Sequence, residues 1–199
     1  RPEHVNVRTV LEQSVALLAP AERQALAEIS VFQDGFTRDA ARALGRGGAL
    51  PLLSALADKC LLASDTDGRF RLHPLVQALG AELLAREPAH AAAVRLAHAL
   101  HFAQRMAGLA PLARGDLRRL VAAVDAEFAN ICRAWDTAVE AGRADALGDM
   151  VRALWVYFEV TGRLHEGIRR LRPAMQRLVP LATQDPQAGW ALSRLRHGL

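Results

Sequence analysis

The amino-acid sequence predicts a mainly α-helical protein that contains one small β-hairpin. Alanine and leucine are abundant and residues branched at Cβ are sparse, and this composition favours helices. Apolar side chains recur at helical spacing over most of the chain. One short run, 69–72, alternates charged and apolar side chains instead, as expected for a strand with one face in water.

The composition is typical of a globular protein in water. Hydrophobic residues make up 51% of the 199 residues and charged residues 23%, and no apolar run reaches the length that spans a membrane. The net charge of +4 comes from 25 Lys and Arg against 21 Asp and Glu. Because these charges are spread along the chain, they are weak evidence for nucleic-acid binding. We therefore expect a cytoplasmic protein with no membrane partner.

The cysteines and the chain ends give two further expectations. Cys60 and Cys132 lie far apart and belong to no metal-binding or redox spacing, so we expect two buried free thiols in a reducing cytosol. The chain begins at Arg1 without a methionine and stops inside a helical pattern. We therefore expect a fragment of a longer protein.

The first 44 residues predict three short helices. In the first, 7–18, aliphatic side chains lie along one face, and Pro20 starts the second. Asp34-Gly35 is a turn signal, after which Thr37 is expected to cap a helix that ends near Leu44. The stripe of the first helix consists of Val7, Val10, Leu11, Val15 and Leu18.

A fourth helix and the hairpin follow a glycine-rich break at 45–48. Pro51 fits the first turn of a helix that runs to about Lys59. Strands at 62–64 and 69–72 are expected to pair across the turn 65–68.

The stretch 68–86 connects the hairpin to a closing helix. Pro74 suits the first turn of that helix because it lacks a backbone donor, and apolar side chains recur at helical spacing behind it. His73 therefore lies at the helix N-terminus, where backbone N–H groups attract anions. Short helices, a hairpin and a closing helix form the pattern of a winged helix-turn-helix domain, which we place at residues 1–86.

Residues 87–199 predict helices only. We expect helices at 89–107, 116–140, 144–161 and 164–178, the second capped by Asp116, and another that begins near Asp185-Pro186. Helices of similar length joined by short glycine turns suggest stacked antiparallel hairpins, as in a TPR-like solenoid. The predicted fold class is thus mainly α, with a winged helix-turn-helix domain and its small β-hairpin followed by a truncated antiparallel α-helical TPR-like array.

Three segments in order, 8–41, 52–84 and 126–171, resemble the region that follows the nucleotide-binding core in STAND-type (NB-ARC-like) signalling ATPases. The nearest similarity is to large bacterial transcriptional regulators of the LuxR and SARP kinds. The resemblance covers most of the chain and implies a parent protein whose P-loop ATPase module, binding ATP or ADP, precedes the winged helix. It also implies that the helical repeats bind a protein or small-molecule effector, and that another domain of the parent could bind DNA.

The sequence Leu72-His73-Pro74 is similar to the "MHD" element of the NB-ARC relatives. The resemblance implies that His73 contacts the phosphates of bound ADP in the parent protein. Pro74 departs from the aspartate of that element, so the hydrogen bonds of the aspartate are not implied. The alternative is structural: His73 caps the helix, or lies half-buried and fixes the joint between strand and helix.

The sequence contains no motif of a complete enzyme. The patterns GxxxxGK[ST], GxSxG and HExxH are absent, as is any Cys-based zinc spacing, so we expect no catalysis and no cofactor in this chain. His98 and His101 lie about one helical turn apart, but no third metal ligand accompanies them. We expect two partly exposed helix histidines and no metal site.

Two polar pairs and the large aromatic residues have structural interpretations. Glu127 and Asn130 (EFAN) resemble the ExxN element of the family's repeats and are expected to hydrogen-bond where helices pack. Asp145 and Asp149 lie near a helix start, where acidic groups favour the helix dipole. Side chains expected in an interhelical core are Trp135, Trp155, Tyr157 and Phe158, of which Tyr157 could also serve a concave repeat surface.

A DNA-binding winged helix is the main alternative function. The helix 52–59, which carries Lys59, would enter the major groove, and Arg69 and Arg71 of the hairpin would contact phosphates. That helix is apolar and has few side chains that read bases, and we expect its Leu56 in the core. A third possibility is a helical protein-interaction domain unrelated to nucleotide switching.

Overall fold

The computed structural model describes residues 7–180, 189, 192 and 193. Helix accounts for 76% of the structure, and the described part holds ten α-helices and one two-stranded antiparallel sheet. The predicted mainly α class is confirmed. The helix predicted near Asp185-Pro186 lies outside the described residues. No helix among those described is long and apolar enough to cross a membrane.

The chain divides into two compact units, Arg1–His98 and Ala99–Leu199. The division falls inside a single helix, Pro88–Leu109. The domain boundary expected from the sequence, between residues 86 and 87, lies just before the start of this helix and stays a prediction.

The first unit begins with helices and ends with a hairpin between two of them. Its elements are α1 (Val7–Ala16), α2 (Pro20–Ile29), α3 (Arg38–Ala43), α4 (Leu50–Asp58), β1 (Leu62–Ser64), β2 (Phe70–Leu72), α5 (Pro74–Ala85) and the first part of α6 (Pro88–Leu109). A 3-10 turn, Arg46–Gly48, precedes α4. Pro20, Pro51 and Pro74 each stand in a first helical turn, as the sequence predicts.

The predicted turn, cap and hairpin are confirmed. Asp34 and Gly35 both have positive φ, 55° and 94°, and the Thr37 hydroxyl accepts the Ala40 N–H at 3.2 Å. In the hairpin Leu62 lies opposite Leu72. An isolated bridge between Phe36 and Phe70 joins the turn to β2.

Helix α5 packs against α2 at very short range. A Cβ atom at Gly80 would lie 2.8 Å from the carbonyl oxygen of Leu26, so only glycine fits there. One turn earlier on the same face, Gln77 Nε2 donates to the carbonyl oxygen of Phe32 at 2.6 Å. These two contacts fix α5 against the C-terminal end of α2.

Glu28 is a buried carboxylate that joins three elements of the first unit. It is 2% exposed and accepts hydrogen bonds from the Gly47 N–H (2.9 Å) and from Gln24 Nε2 (3.0 Å). His90 Nε2 lies 3.1 Å from the carboxylate. These partners offset the cost of burying the charge. No sequence signal marked Glu28, because its helix resembles an ordinary solvated one.

Helix α1 departs from the predicted apolar stripe. Val7 is 62% exposed and Val10 is 47% exposed, whereas Val15, and Leu18 just beyond the helix, are buried. Helix α1 packs on α5, and one neighbouring helix covers only part of the apolar face.

The described part of the second unit consists of helices and one 3-10 turn. After the end of α6 and a 3-10 turn, Ala110–Arg114, it contains α7 (Leu117–Asp125), α8 (Phe128–Glu140), α9 (Ala144–Val160) and α10 (Leu164–Leu178). Helix α9 packs against α7, α8 and α10. Gly142 and Gly162, both with positive φ, follow α8 and α9, as the sequence predicts.

The prediction of a single helix at 116–140 is wrong, since the structure has two helices there. Asp116 caps the first as expected, accepting the Arg119 N–H at 3.0 Å. The chain leaves helical geometry at Glu127 (φ −127°, ψ 14°), which is the N-cap residue of α8. The break contains neither glycine nor proline, so the sequence carries no stop signal.

Leu56→Asp is expected to lower the free energy of unfolding by about 3–5 kcal/mol, because it places an unpaired charge at a site with 0% exposure. Leu50→Asp on the same helix is the matched control, since Leu50 is 41% exposed, and should change stability by less than about 0.5 kcal/mol. Urea unfolding followed by circular dichroism measures both. A Leu56→Asp variant as stable as the unmodified chain would place Leu56 on the surface and would favour the DNA-reading alternative.

Candidate functional site

His73 lies at the junction of β2 and α5 and is the N-cap residue of α5. Its backbone is extended (φ −62°, ψ 139°), and Nδ1 accepts the Leu75 N–H at 3.3 Å. This is the cap foreseen as the structural alternative. The imidazole is exposed, so the other structural prediction, a half-buried His73, is wrong.

The cap determines which ring nitrogen of His73 carries the proton. A neutral imidazole has one donor and one acceptor nitrogen. Because Nδ1 accepts the Leu75 N–H, Nε2 is the donor. An exposed N–H donor beside a helix N-terminus is suited to an anionic oxygen.

A small cavity of about 160 Å³ lies beside this junction. It is lined by Phe32, Asp34, Gly35, Phe36, Arg71, Leu72, Pro74 and Gln77. Pockets that hold whole ligands usually measure about 300–1,000 Å³, so this cavity is too small for a nucleotide. With His73 it could contact one phosphate group, and other residues would have to hold the rest of any nucleotide.

The three basic residues considered for DNA contact interact with two acidic side chains, Glu22 and Asp65. Lys59 follows α4 and forms a salt bridge with Glu22. Arg71 lies 3.6 Å from Asp65 of the hairpin turn, and the half-buried Arg69 donates its backbone N–H to the same Asp65. The hydrogen bond from Lys59 lowers the pKa of Glu22, and that from the Arg69 N–H lowers the pKa of Asp65. Lys59 and Arg71 are thus each neutralised within the unit.

The sequence predicted that His98 and His101 of α6 are both partly exposed, and this prediction is wrong for His98. Its side chain is fully buried and tilts against Phe32, with ring centroids 5.2 Å apart. His101 is half-buried and meets Phe102 edge-on at 5.0 Å. In the described part of the chain no three His, Cys, Asp or Glu side chains form a group that could hold a metal ion.

The cysteines differ in burial. Cys132 is buried as predicted, and burial raises the pKa of its thiol to about 11. Cys60 is exposed, which corrects the expectation of two buried thiols. It has a positive φ of 56° directly after Lys59, the C-cap residue of α4, and this turn directs the side chain outward.

The EFAN segment performs the hydrogen-bonding role predicted for it. Asn130 Nδ2 donates to Glu127 Oε2 at 3.0 Å, and both side chains are buried. The pair stabilises the first turn of α8. Asp145 forms an ion pair with Arg143, and this hydrogen bond lowers the pKa of the carboxyl group.

Tyr157 belongs to the interhelical core, as predicted first, and is 1% exposed. Its hydroxyl donates to Asp125 at 2.6 Å and accepts from Arg163 at 2.7 Å. Burial raises the pKa of Tyr157 to about 12. The Arg163 guanidinium also lies 4.3 Å from the centre of the Phe128 ring. This network connects α7, α8, α9 and the residue that precedes α10.

A groove of about 520 Å³ lies between α8 and α10 in the second unit. It is lined by Trp135, Asp136, Val139, Glu140, Glu166, Arg169, Arg170 and Pro173. We call this the α8–α10 groove. Trp135 Nε1 donates to the Arg170 carbonyl oxygen at 3.2 Å, and Arg170 pairs with Asp136 at 2.9 Å.

A second hollow of about 320 Å³ lies along α10 and shares Arg169 and Pro173 with the groove. Its other lining residues are His165, Ile168, Arg172 and Gln176. Sequence reasoning did not identify this surface. The available signal was the run IRRLRP at 168–173, which places three arginines and a proline on one predicted helix.

Comparison of the chain with protein-family models, with curated proteins and with solved structures found no match. The resemblance to STAND-type regulators therefore stays a prediction.

The thiol of Cys132 should make the stability of the chain depend on alkaline pH. Its ordinary pKa is 9.0 and the buried group has a pKa of about 11, so the folded chain binds more protons between these values and is destabilised as pH rises. The free energy of unfolding keeps its full value below pH 9, and by pH 11 the titration of Cys132 lowers it by about 2–3 kcal/mol.

Urea unfolding at several pH values measures this loss. Cys132→Ala should reduce the loss of stability between pH 9 and 11 by about 2–3 kcal/mol and leave the smaller loss that comes from the raised pKa of Tyr157, while Cys60→Ala, at the exposed cysteine, should leave the curve unchanged. Equal curves for all three chains would show that Cys132 titrates in the folded state as it does when unfolded.

Proposed function

We propose that this chain is a non-catalytic regulatory region of a STAND-type ATPase that acts in transcription or signalling. In this proposal residues 1–86 form a winged helix that packs on the nucleotide-binding module of the parent protein. Residues 87–199 form a TPR-like array that binds an effector or a partner. The observation that carries the proposal is the exposed His73 at the N-terminus of α5, with Nε2 as its donor.

The geometry of the junction supports a phosphate contact from another module. Nε2–H and the N-terminal end of α5 both favour an anion. The ring is exposed, so a phosphate held by a separate ATPase module can approach it. The chain supplies no P-loop for such a phosphate, so ATP or ADP would be bound by the parent and not by this region.

The arrangement of the first unit supports the winged-helix part of the proposal. Three helices precede α4, the hairpin follows it, and α5 closes the unit. Leu53 and Leu56 of α4 are fully buried, so this helix serves packing more than base reading. The hairpin is then the wing, and its role is intramolecular.

The second unit supports the part of the proposal that concerns repeats. Helices α8, α9 and α10 are of similar length and are joined by short turns at Gly142 and Gly162, as in stacked helical hairpins. The α8–α10 groove lies on the surface of two such helices, where a partner can reach it.

Substitution of His73 in the full-length parent tests the nucleotide role. His73→Ala removes both the cap and the donor, whereas His73→Ser keeps an N-cap oxygen but cannot reach a phosphate. If His73 contacts phosphate, both variants should change the amount of ADP that copurifies, or the ADP affinity, by about tenfold, the value of one charge-assisted hydrogen bond. His165→Ala, at an exposed histidine of α10, is the matched control.

A purely structural His73 gives a different pattern. His73→Ala would then lower the melting temperature, His73→Ser would restore it, and neither would change bound nucleotide or basal activation. That result would overturn the role proposed for His73.

DNA binding by the winged helix is the second candidate, favoured by the position of Arg69 and Arg71 on the hairpin. Against it, Lys59 and Arg71 already have acidic partners. We expect no binding to random duplex DNA in a fluorescence anisotropy titration at low salt. Micromolar binding with a steep salt dependence would indicate several phosphate contacts, and its loss in Arg69→Ala/Arg71→Ala would make the DNA reader the better proposal.

A further inference from the structure

The charges of the α8–α10 groove are only partly neutralised. Arg170 is paired with Asp136 at 2.9 Å, and Glu166 is paired with Arg163 at 2.7 Å. The groove has two further charged side chains, Arg169 and Glu140, which are exposed and form no ion pair with the residues that the structure describes. Among the described residues, the unpaired cation of the groove therefore lies on its α10 wall and the unpaired carboxylate at the end of α8, where Arg177 donates to the backbone carbonyl of Glu140 at 3.2 Å.

Arg172 extends the positive wall along α10. It lines the neighbouring hollow with Arg169, and it too is exposed and forms no ion pair within the described part of the chain. Residues three apart on a helix lie on one face, about 5 Å apart along the axis. Arg169 and Arg172 thus present two adjacent guanidinium groups that can each bind a carboxylate with two hydrogen bonds.

The floor between the charged side chains is apolar. Val139 and Pro173 line it, and Ile168 continues it into the hollow. Trp135 lies beneath this floor and is fully buried. Pro173 also lacks the N–H that would bond the Arg169 carbonyl four residues earlier. The surface therefore combines an apolar floor, two cations and a backbone acceptor deprived of its helical donor.

We propose that the α8–α10 groove binds an acidic peptide segment that inserts apolar side chains over Val139 and Pro173. Carboxylates of the segment pair with Arg169 and Arg172, and a backbone N–H or a basic group of the segment faces Glu140. This proposal rests on the proposed function of the second unit as a partner-binding array, and it specifies the chemistry of the partner.

The charges favour a peptide over a nucleic acid. Asp136, Glu140 and Glu166 all line the same groove, and they would repel the regularly spaced phosphates of a nucleic-acid backbone. A peptide can place carboxylates at the α10 wall alone and keep neutral residues near Glu140. The volume, about 520 Å³, holds several side chains.

Binding of a labelled synthetic peptide to this chain tests the proposal. The probe is a fluorescein-labelled peptide in which two glutamates stand next to two leucines and all other residues are serine or glycine, and the control probe replaces both glutamates with glutamine. At low salt we expect saturable binding of the acidic probe in fluorescence anisotropy and at least about tenfold weaker binding of the control.

Charge-reversal variants identify the site. Arg169→Glu/Arg172→Glu should weaken binding of the acidic probe by about tenfold or more. The matched control is Arg118→Glu/Arg152→Glu, which changes the net charge equally at exposed arginines of α7 and α9, and it should weaken binding by less than about twofold. Glu140→Lys should strengthen binding by a few fold, so the proposal also predicts a gain. Because all five side chains are exposed, thermal melts should be unchanged.

Three results would overturn the proposal. Equal losses in the two charge-reversal pairs would show attraction to net charge only. Displacement of the probe by single-stranded nucleic acid, with the same dependence on Arg169 and Arg172, would assign the groove to nucleic acid. Equal binding of the glutamine probe would exclude recognition of acidic groups. None of these results affects the test of His73, which uses nucleotide bound to the parent protein.

Discussion

Helix α5 can approach α2 as closely as it does because residue 80 is glycine, and the geometry of the first unit depends on that approach. A Cβ at this position would meet the Leu26 carbonyl oxygen at 2.8 Å, a contact that would force the helices apart. With the helices in contact, Gln77 reaches the carbonyl oxygen of Phe32 and so fixes the chain just after α2. The turn that follows is bonded through Phe36 to β2. The position of His73, between β2 and α5, is therefore set by the packing of a glycine two turns away.

Buried polar side chains connect the helices and turns within each unit. Glu28 connects α2 to the 3-10 turn and to α6 through three hydrogen-bonding partners. Glu127 separates α7 from α8 and bonds Asn130. Tyr157 joins Asp125 to Arg163. Each buried group has partners that offset its desolvation, and loss of one partner would leave the other buried and unsatisfied.

The sequence predicted what local chemistry determines and missed what tertiary contacts determine. Prolines, the Thr37 and Asp116 caps and the turn glycines marked most helix ends, because each acts within one turn of the chain. The break at Glu127 has no such marker, since it depends on a carboxylate that is buried only in the folded unit. The exposure of Val7 depends in the same way on α5, which covers only part of α1. His73 was found because a helix N-terminus is a local feature, whereas the α8–α10 groove requires two helices to be placed side by side.

The cap and the proposed phosphate contact of His73 are compatible because they use different ring nitrogens. Capping requires Nδ1 to be an acceptor, which leaves the proton of the neutral ring on Nε2, the nitrogen that a phosphate would use. A second proton, on Nδ1, would abolish the acceptor and with it the bond to the Leu75 N–H. In the proposed function, the same imidazole ring therefore binds the phosphate through Nε2 and the first turn of α5 through Nδ1. A movement of α5 toward α2 would meet the Leu26 carbonyl oxygen and the Ser30 side chain, because both lie directly against Gly80. This coupling needs no further element, because the histidine, the cap and the close approach all lie on α5.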